Sequence, residues 1–575
     1  QQLNGSIYLD WNVFKGFTAH VDYALSFSNY FQKRADTPTG AAYDFQTGKD
    51  IGRYYVADNV GVSDNNTTNY KTQLNGRLQY ETTIAQNHNI GAMFVYSEEY
   101  WHTRSTGASR NDRIHPSTSE INSALTNVQS NSGSSASEGL RSYIGRMNYS
   151  AYDKYLLEFS FRVDGSSKFI KGHQYGFFPT VAVGWRFTEE EFLKKYLSSW
   201  LSSGKLRASW GKLGDNSGVG RFEQLETLTA MNYMSSDVVK GFVNKKMINK
   251  DLSWEVSTDI NVGLDLGFLN NRLRTEIDFY NRLRTGMNRP SQMSIHLTGA
   301  YSAPRANIGD LLNRGLELNL TWKDKIGNVE YSVNLNGAYN RTVLKEWNEF
   351  LSRGWVYLDM PYHFLYVYEN NGIAQTWQDI YNNTPQGLSP GDVIRKDLNG
   401  DGIIDGKDKK AYPNIQRDRP TTTYGITLQA AWKGFDISML FNGGLGRKDF
   451  WLTDFNNTAF ADRRYASTWD HWTEPWSLEN RGGEWPRLGT STDRSDNSYW
   501  LYNMNYLRMK NIMLGYNLPK KLLSKISMTN LRIYASAENL FTVTQYPGLD
   551  PEKKNSARDL YPINRSFSIG LNVSF

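Results

Sequence analysis

Cysteine is absent from the 575 residues. Its absence excludes a disulfide framework, a thiolate metal site and a cysteine nucleophile. Long apolar runs are missing as well. No stretch of about 18 apolar residues occurs, so no membrane-crossing helix is expected. Nor is there a strong excess of either charge: 64 Lys and Arg stand against 58 Asp and Glu, a net +6 spread along the chain. That balance leaves no electrostatic footprint for nucleic acid, which is not expected as a partner. The chain opens on Gln1-Gln2-Leu3, with neither an initiator Met nor a basic leader. An exported protein carries a signal peptide, so further residues are expected upstream of Gln1.

What the chain has in quantity is aromatic. Its 36 Tyr, 27 Phe and 17 Trp make up 14% of residues, yet the mean hydropathy is −0.59. A polar chain this rich in aromatics does not build ordinary aliphatic cores. Strands with one apolar and one polar face give this mixture.

The last ten residues show the pattern most clearly. Phe567, Ile569, Leu571, Val573 and Phe575 alternate with Ser566, Ser568, Gly570, Asn572 and Ser574, a period of two. The same pattern runs through Tyr424–Trp432, a Lys433-Gly434 turn and Phe435–Phe441. It recurs from Ile260 through Asn270-Asn271 to Leu273, from Leu316 through Gly327 to Leu335, and around Lys15-Gly16. Counted this way, the chain holds about seventeen strands.

Connection lengths alternate. Short turns fall at Lys15-Gly16, Gln86–Asn89, Tyr152–Lys154, Asn270-Asn271, Asp324–Asn328, Lys433-Gly434 and just after Pro519. Long polar connections cover 32–67, 102–139, 214–253, 286–311, 344–421, 447–502 and 543–564, with a shorter one at 164–175. Outer-membrane barrels join strands by short periplasmic turns and long external loops. The expected fold is therefore an all-β, transmembrane antiparallel barrel in a Gram-negative outer membrane, its lipid face in contact with lipid and lipopolysaccharide. With the C-terminus on the periplasmic side, the final strand runs inward, and so does the first, near Leu3 to Phe14. An odd count ending inward predicts further strands before Gln1, since single-chain bacterial barrels have even numbers. Arg508 and Lys510 share parity with Ile512 and Leu514 and are expected beyond the apolar band.

Two smaller features stand out. Glu189–Glu191 through Lys195 reads as a short helix, acids first and bases last, as the helix dipole prefers. Ser130-Asn131-Ser132-Gly133-Ser134-Ser135 reads as a flexible loop tip.

One motif suggests a metal. Asp397–Asp408 matches the twelve-residue calcium loop, with Asp397, Asn399 and Asp401 at positions one, three and five. Gly402 permits the sharp turn, Ile403 offers its carbonyl, Asp405 falls at nine, and Asp408 replaces the usual Glu at twelve. The expected cofactor is a structural Ca2+ that stiffens the 344–421 loop; the alternative is an acidic, glycine-rich turn with no ion. Catalytic patterns are absent: none of His20, His88, His102, His115, His173, His296, His363 and His471 is spaced as a zinc pair, and no nucleophile elbow or phosphate loop occurs in context. No enzyme is expected. Aromatics cluster in two loops. Trp355, Tyr357 and Tyr362 in one, and Trp451, Trp469 and Trp472 in the other, are candidate platforms for sugar rings or peptide side chains. Loop packing and the interfacial aromatic girdle account for most loop aromatics.

Several segments together resemble the SusC/RagA family of TonB-dependent outer-membrane transporters. They are Arg162–Phe169 (RVDGSSKF), Gly176–Thr180 (GFFPT), Gly184–Arg186 with Glu190–Phe192, Leu206–Gly211, Gly214–Asn216 and Asn313–Glu317. The Asp397–Gly402 stretch, Tyr506–Asn511 with Gly515–Pro519, Ala537–Phe541 and the terminal Phe575 complete the series. The resemblance spans most of the chain in one order. It implies a barrel of about 22 strands, the later ones supplied here. It further implies a SusD-like surface lipoprotein as a hinged lid, dimers of such pairs, and uptake of oligosaccharides or oligopeptides driven by the TonB complex. Phe575 resembles the signal read by the barrel-assembly machinery. The family's plug domain and TonB-contacting segment lie upstream of the residues present here. A siderophore or cobalamin receptor, or a surface adhesin on the same scaffold, remain the alternative readings.

Overall fold

The computed structural model describes the chain except residues 36–38, 44–49, 57–60, 114–117, 126–128, 198–199, 235–237, 245, 299–302, 350–356, 362–363, 417–418, 451–473, 488–496, 524–527 and 554–562. Seventeen strands belong to one antiparallel sheet, the number that the alternating pattern predicts. In chain order they are β1 (Gln2–Phe14), β2 (Phe17–Ala35), β3 (Val62–Ile84), β4 (His88–Arg110), β5 (Gln129–Ala151), β6 (Tyr155–Ser166), β7 (Tyr175–Trp185), β8 (Leu201–Asp215) and β9 (Glu255–Phe268). There follow β10 (Leu273–Thr285), β11 (Asp310–Ile326), β12 (Val329–Glu346), β13 (Thr422–Trp432), β14 (Phe435–Leu445), β15 (Tyr506–Asn517), β16 (Asn530–Thr544) and β17 (Ser566–Ser574). No described helix is long and apolar enough to cross a membrane.

The chain divides into two units. The first comprises Gln1–Val183, Gly211–Ser257 and Gly286–Ile308. Register sorts its side chains into two faces. Leu9 lies opposite Val21, Tyr23 opposite Leu74, and Leu78 opposite Phe94, and all six are exposed on the apolar face. On the other face polar groups satisfy one another. His20 lies 2.6 Å from Asp10 and 3.1 Å from Asp22, Asn75 donates to Asp22, and Ser97 donates to Asn75 at 2.6 Å. A small core of Phe169, Phe178, Val219, Leu252 and Trp254 closes the connections of this unit.

The second unit comprises Gly184–Trp210, Thr258–Thr285 and Gly309–Phe575. Its apolar face continues from strand to strand. Leu320 pairs with Leu335, Leu335 with Ile426, Ile426 with Phe441, Ile437 with Leu514, and Ile533 with Leu571. The polar face holds Arg207 between Asp265 and Asp278, at 2.7 and 2.9 Å. Arg532 meets Asp436 there at 2.5 Å. The acid-rich segment is helical as expected: a short 3-10 turn, Phe187–Glu189, leads into α1, Glu191–Leu197.

The short turns sit where period two breaks. Their residues take positive φ: Gly16 at 86°, Tyr152 and Asp153 at 52° and 54°, Asn270 and Asn271 at 58° and 61°, Lys433 and Gly434 at 45° and 90°. Two successive positive-φ residues give the turn whose twist matches paired strands. A Cβ on Gly434 would stand 2.8 Å from the Asn517 carbonyl oxygen, so glycine serves both the angle and the close approach.

Two expectations are corrected. The Ser130–Ser135 run is strand, not loop tip: it lies within β5, Ser130 opposite Ser109 and Ser135 opposite Arg104. Small side chains do not oppose pairing, and the ladder satisfies backbone groups that a loop would leave to water. Parity does not carry from Ile512 to Arg508. The register slips at Lys510, with Asn511 opposite Leu440 and Met509 opposite Phe441, while Asn539 on the far side takes φ 52°. A bulge of this kind turns the following side chains to new directions.

The facing can be tested on β17. Phe567, Ile569 and Leu571 are all more than half exposed, as a lipid-facing row must be without lipid. Leu571→Arg should cost about 2–4 kcal/mol at mid-membrane and cut the folded, heat-modifiable fraction in outer membranes. Ser568→Arg, on the other face opposite Ser536, should insert normally. It is a cleaner control than Asn572→Arg, because Asn572 stands opposite Arg532. Equal insertion of the two variants would reject the facing.

Candidate functional site

Three long connections of the second unit fold onto one another. The first joins Glu346 to Thr422, the second Leu445 to Tyr506, and the third Thr544 to Ser566. Each lies at the strand end opposite the short turns.

The first connection makes two small ribbons. Phe364–Tyr368 pairs with Lys409–Gln416, and Asn370–Ile373 with Val393–Arg395. Between the halves of the second ribbon runs a one-turn helix, Trp377–Tyr381, closed by a reciprocal cap between Thr376 and Asp379. Amide donation from Thr376 and Gln375 holds the Asp379 carboxyl below its ordinary range, against the opposing effect of burial.

The second connection is tied to the first at several points. Lys448–Phe450 pairs with Leu501–Asn503, placing Phe450 and Trp500 against Leu365 and Val367 in a shared core. Arg487 forks onto Asp392 at 2.8 and 3.2 Å, a carboxylate 3% exposed. The Gln375 side-chain oxygen accepts from the Trp476 indole at 2.9 Å and from the Gly482 amide at 2.8 Å. The Ser498 hydroxyl accepts from both nitrogens of Asn370.

The third connection is held by buried charge. Arg508 is 3% exposed; it reaches Asp550 at 2.8 Å and Glu552 at 2.6 Å. Glu552 also accepts from Tyr506 and Asn442. Burial works to raise the Glu552 carboxyl, but hydrogen bonds from Asn442 and Tyr506 and the charges of Arg508 and Lys510 outweigh it, leaving it below the ordinary range. Arg447, also buried, donates to the carbonyls of Pro551, Glu552 and Lys553. Tyr546 packs on Met504.

Residues 2–390 match the family described as "TonB dependent receptor-like, beta-barrel". The chain belongs to this family. Its strands are therefore those of an outer-membrane β-barrel, and the three connections are external loops. Among curated relatives, the TonB-dependent receptor P3 of Formosa agariphila is 28% identical across 96% of this chain and 59% of its own length. The TonB-dependent receptor SusC of Bacteroides thetaiotaomicron is 28% identical across 97% of this chain and 56% of its own length. The chain thus spans somewhat over half of these relatives. The structure titled "Structure of the RagAB peptide transporter" superposes on all of this chain and 62% of its own, with a TM-score of 0.82 at 22% identity, which establishes the shared fold.

Of the candidate platform residues, Tyr357 is 44% exposed and rests against Phe364 and Tyr366. Trp355, Tyr362, Trp451, Trp469 and Trp472 lie outside the described residues. Trp476 and Trp500 are packing residues, 7% and 2% exposed. Phe575 is exposed beyond β17.

In the Asp397–Asp408 loop the carboxylates serve backbone amides. Asp397 accepts from Gly400 and Gly402, Asp401 from Ile403, Asp405 from Lys407, and Asp408 from Leu398, Asn399 and Asp405. Lys407 stands 3.8 Å from both Asp401 and Asp405. Ile403 is 63% exposed. Among the described residues no three His, Cys, Asp or Glu converge to hold a metal. As arranged, these carboxylates are turned onto backbone amides, and an ion would need them drawn together on the lone pairs that the amides leave free.

Sequence reading missed the cross-links, chief among them Asp392–Arg487 and Arg508–Asp550. The only local sign was an Asp-Pro-Glu triplet, Asp550–Glu552, in a loop otherwise without pattern. Removing one member of a buried pair costs about 3–5 kcal/mol, because its partner is left charged and dry. Arg508→Met should therefore release the third loop, seen as new protease cleavage near Asp550, while the barrel stays folded. Acid should act on the same contact. The lowered Glu552 carboxyl contributes stability above its unfolded value of about 4.3. That contribution disappears as pH falls through the still lower folded value, and Glu552→Gln should abolish the acid-dependent part of the loop's release.

Proposed function

We propose that the chain is the barrel portion of an outer-membrane importer of oligosaccharides or oligopeptides, energised through the TonB complex and working with a SusD-like surface lipoprotein. The observation that carries this reading is the cluster of three long external loops, cross-linked by buried ion pairs into one surface on a TonB-dependent receptor-like barrel. Relatives named SusC and TonB-dependent receptor, aligned over nearly the whole chain, and the fold shared with a RagAB peptide transporter support it. Such a barrel needs no catalytic group. It presents loops to a ligand and remains rigid, while a plug supplied by the full-length protein rearranges to release the ligand inward.

The surface lipoprotein would close over the external loops, and two such pairs would associate. The exposed Phe575 would serve the assembly machinery. Tyr357, the described member of the aromatic candidates, offers a ring face to a sugar or a peptide side chain. A strain lacking the protein should lose growth on one class of polymer, glycan or peptide, and the tagged protein should bring down a lipoprotein encoded with it. Normal growth on both classes, with a defect only under iron or cobalamin limitation, would indicate a siderophore or cobalamin receptor instead. No growth defect, with lost surface attachment, would indicate an adhesin.

Calcium at Asp397–Asp408 is proposed on the twelve-residue pattern alone. Binding would stiffen the first loop and take no part in transport chemistry. Millimolar Ca2+ should protect this loop from protease where Mg2+ does not, and Asp397→Asn with Asp401→Asn should remove the protection. Identical cleavage with Ca2+ and with chelator would leave the acidic turn as the correct reading.

A further inference from the structure

On the apolar face of the second unit, the lipid-facing row is broken by cations, beyond which it continues as the cross-strand partners Leu312 and Val343. Along β11 the row reads Trp322, Leu320, Leu318, Leu316, then Arg314. Along β12 it reads Tyr331, Val333, Leu335, Gly337, Tyr339, then Arg341. The two arginines are direct cross-strand partners. With Lys345 they line a cavity of about 400 Å³ whose apolar wall is formed by Phe279, Leu316 and Tyr339.

Position along the strand identifies the depth. The short turn at Gly327 marks the periplasmic end, and Asp324, held by Arg272 at 3.3 Å, is the last charge on this row before the apolar stretch. Ten residues separate Asp324 from Arg314. At about 3.3 Å per residue and a tilt near 40°, that is roughly 25 Å of height, the thickness of the apolar band. Arg314 and Arg341 therefore stand at the outer edge of the hydrocarbon, facing lipid, at the level of the outer-leaflet headgroups.

Their chemistry is unresolved by the protein itself. Like charges directly opposite one another destabilise a strand pair. Arg314 is oriented by one bond, from its Nε to Asn281 at 2.7 Å. Arg341 has a buried Nε with no hydrogen-bond partner. The one carboxylate of the cavity, Asp359, is paired with Lys345. By contrast, Glu98 and Arg141, cross-strand partners of opposite sign on the first unit's apolar face, meet at 3.0 Å. Two guanidinium forks over an apolar wall suit a phosphoryl group attached to acyl chains, since arginine binds phosphate in a bidentate manner.

We propose that Arg314 and Arg341 form a binding site for the phosphorylated headgroup of an outer-leaflet lipid, the phosphoryl group between the guanidinium groups and an acyl chain along Phe279 and Leu316. The site rests on the placement in the outer membrane and not on the transport reading, so the two can fail separately. The test is native mass spectrometry of the full-length protein in nanodiscs carrying bis-phosphorylated lipid A, phosphate-free lipid A, or neither with inorganic phosphate added. The intact protein should retain the bis-phosphorylated lipid and neither alternative. Arg314→Gln with Arg341→Gln should weaken retention by about a hundredfold, since each lost charge-assisted bond is worth about one factor of ten, while uptake stays unchanged. Equal retention of phosphate-free lipid A would overturn the proposal. So would equal binding of inorganic phosphate, or full retention by the double variant. If the double variant inserts poorly, the comparison of the two lipids on the unaltered protein decides alone.

Discussion

A backbone amide in hydrocarbon has no water to turn to, and every such group must find a partner within the protein. Strand pairing satisfies that demand, and the side-chain pattern follows from it. One row of each strand meets lipid and must be apolar; the other meets a polar interior and must satisfy its own charges. The two demands are met side by side on β16, where Ile533 faces Leu571 and the adjacent Arg532 closes on Asp436. A slip of one residue would exchange the two rows. The register is pinned by turns that permit only one geometry, such as Lys433-Gly434 with both residues at positive φ.

Beyond the apolar band that demand lapses, because water can satisfy a free amide. Loops as long as those at 347–421 and 446–505 must then gain order from something else. Here it comes from a shared core around Trp500 and Phe450 and from ions withdrawn from water, Arg508 with Asp550 and Arg487 with Asp392. A buried ion pair adds little net stability compared with apolar residues of the same size. What it adds is a penalty for every arrangement in which one partner is left unpaired.

These two regimes explain what was legible in the sequence. Where lipid imposes alternation, as from Phe567 to Phe575, strand, facing and count were readable, and so were turns with Gly or Asn. The Ser130–Ser135 run was not, because small polar residues carry no period-two signal even when they pair along β5. The bulge at Lys510 was not, because parity assumes an unbroken ladder. The loop cross-links were hidden for a different reason: Asp392 and Arg487 are 95 residues apart, and nothing local marks either as the other's partner. At Asp397–Asp408 the spacing that suits a cation also suits a series of carboxylate–amide turns, so the pattern alone does not separate the two.

The same reasoning bears on where motion can occur. An importer must pass between states that admit and release its ligand, and a state change requires an element with two arrangements of similar energy. The three-loop cluster is poorly suited to be that element. Parting its members would strand Asp392, Asp550 and Arg508 without partners in a dry setting, each 5% exposed or less. The cluster is better suited to act as the fixed side of a closing contact. On the transport reading, movement then belongs to parts joined to it by less buried charge: a lid resting on it from outside and a plug beneath it. Selectivity would lie in exposed groups such as Tyr357, whose substitution leaves the shared core intact.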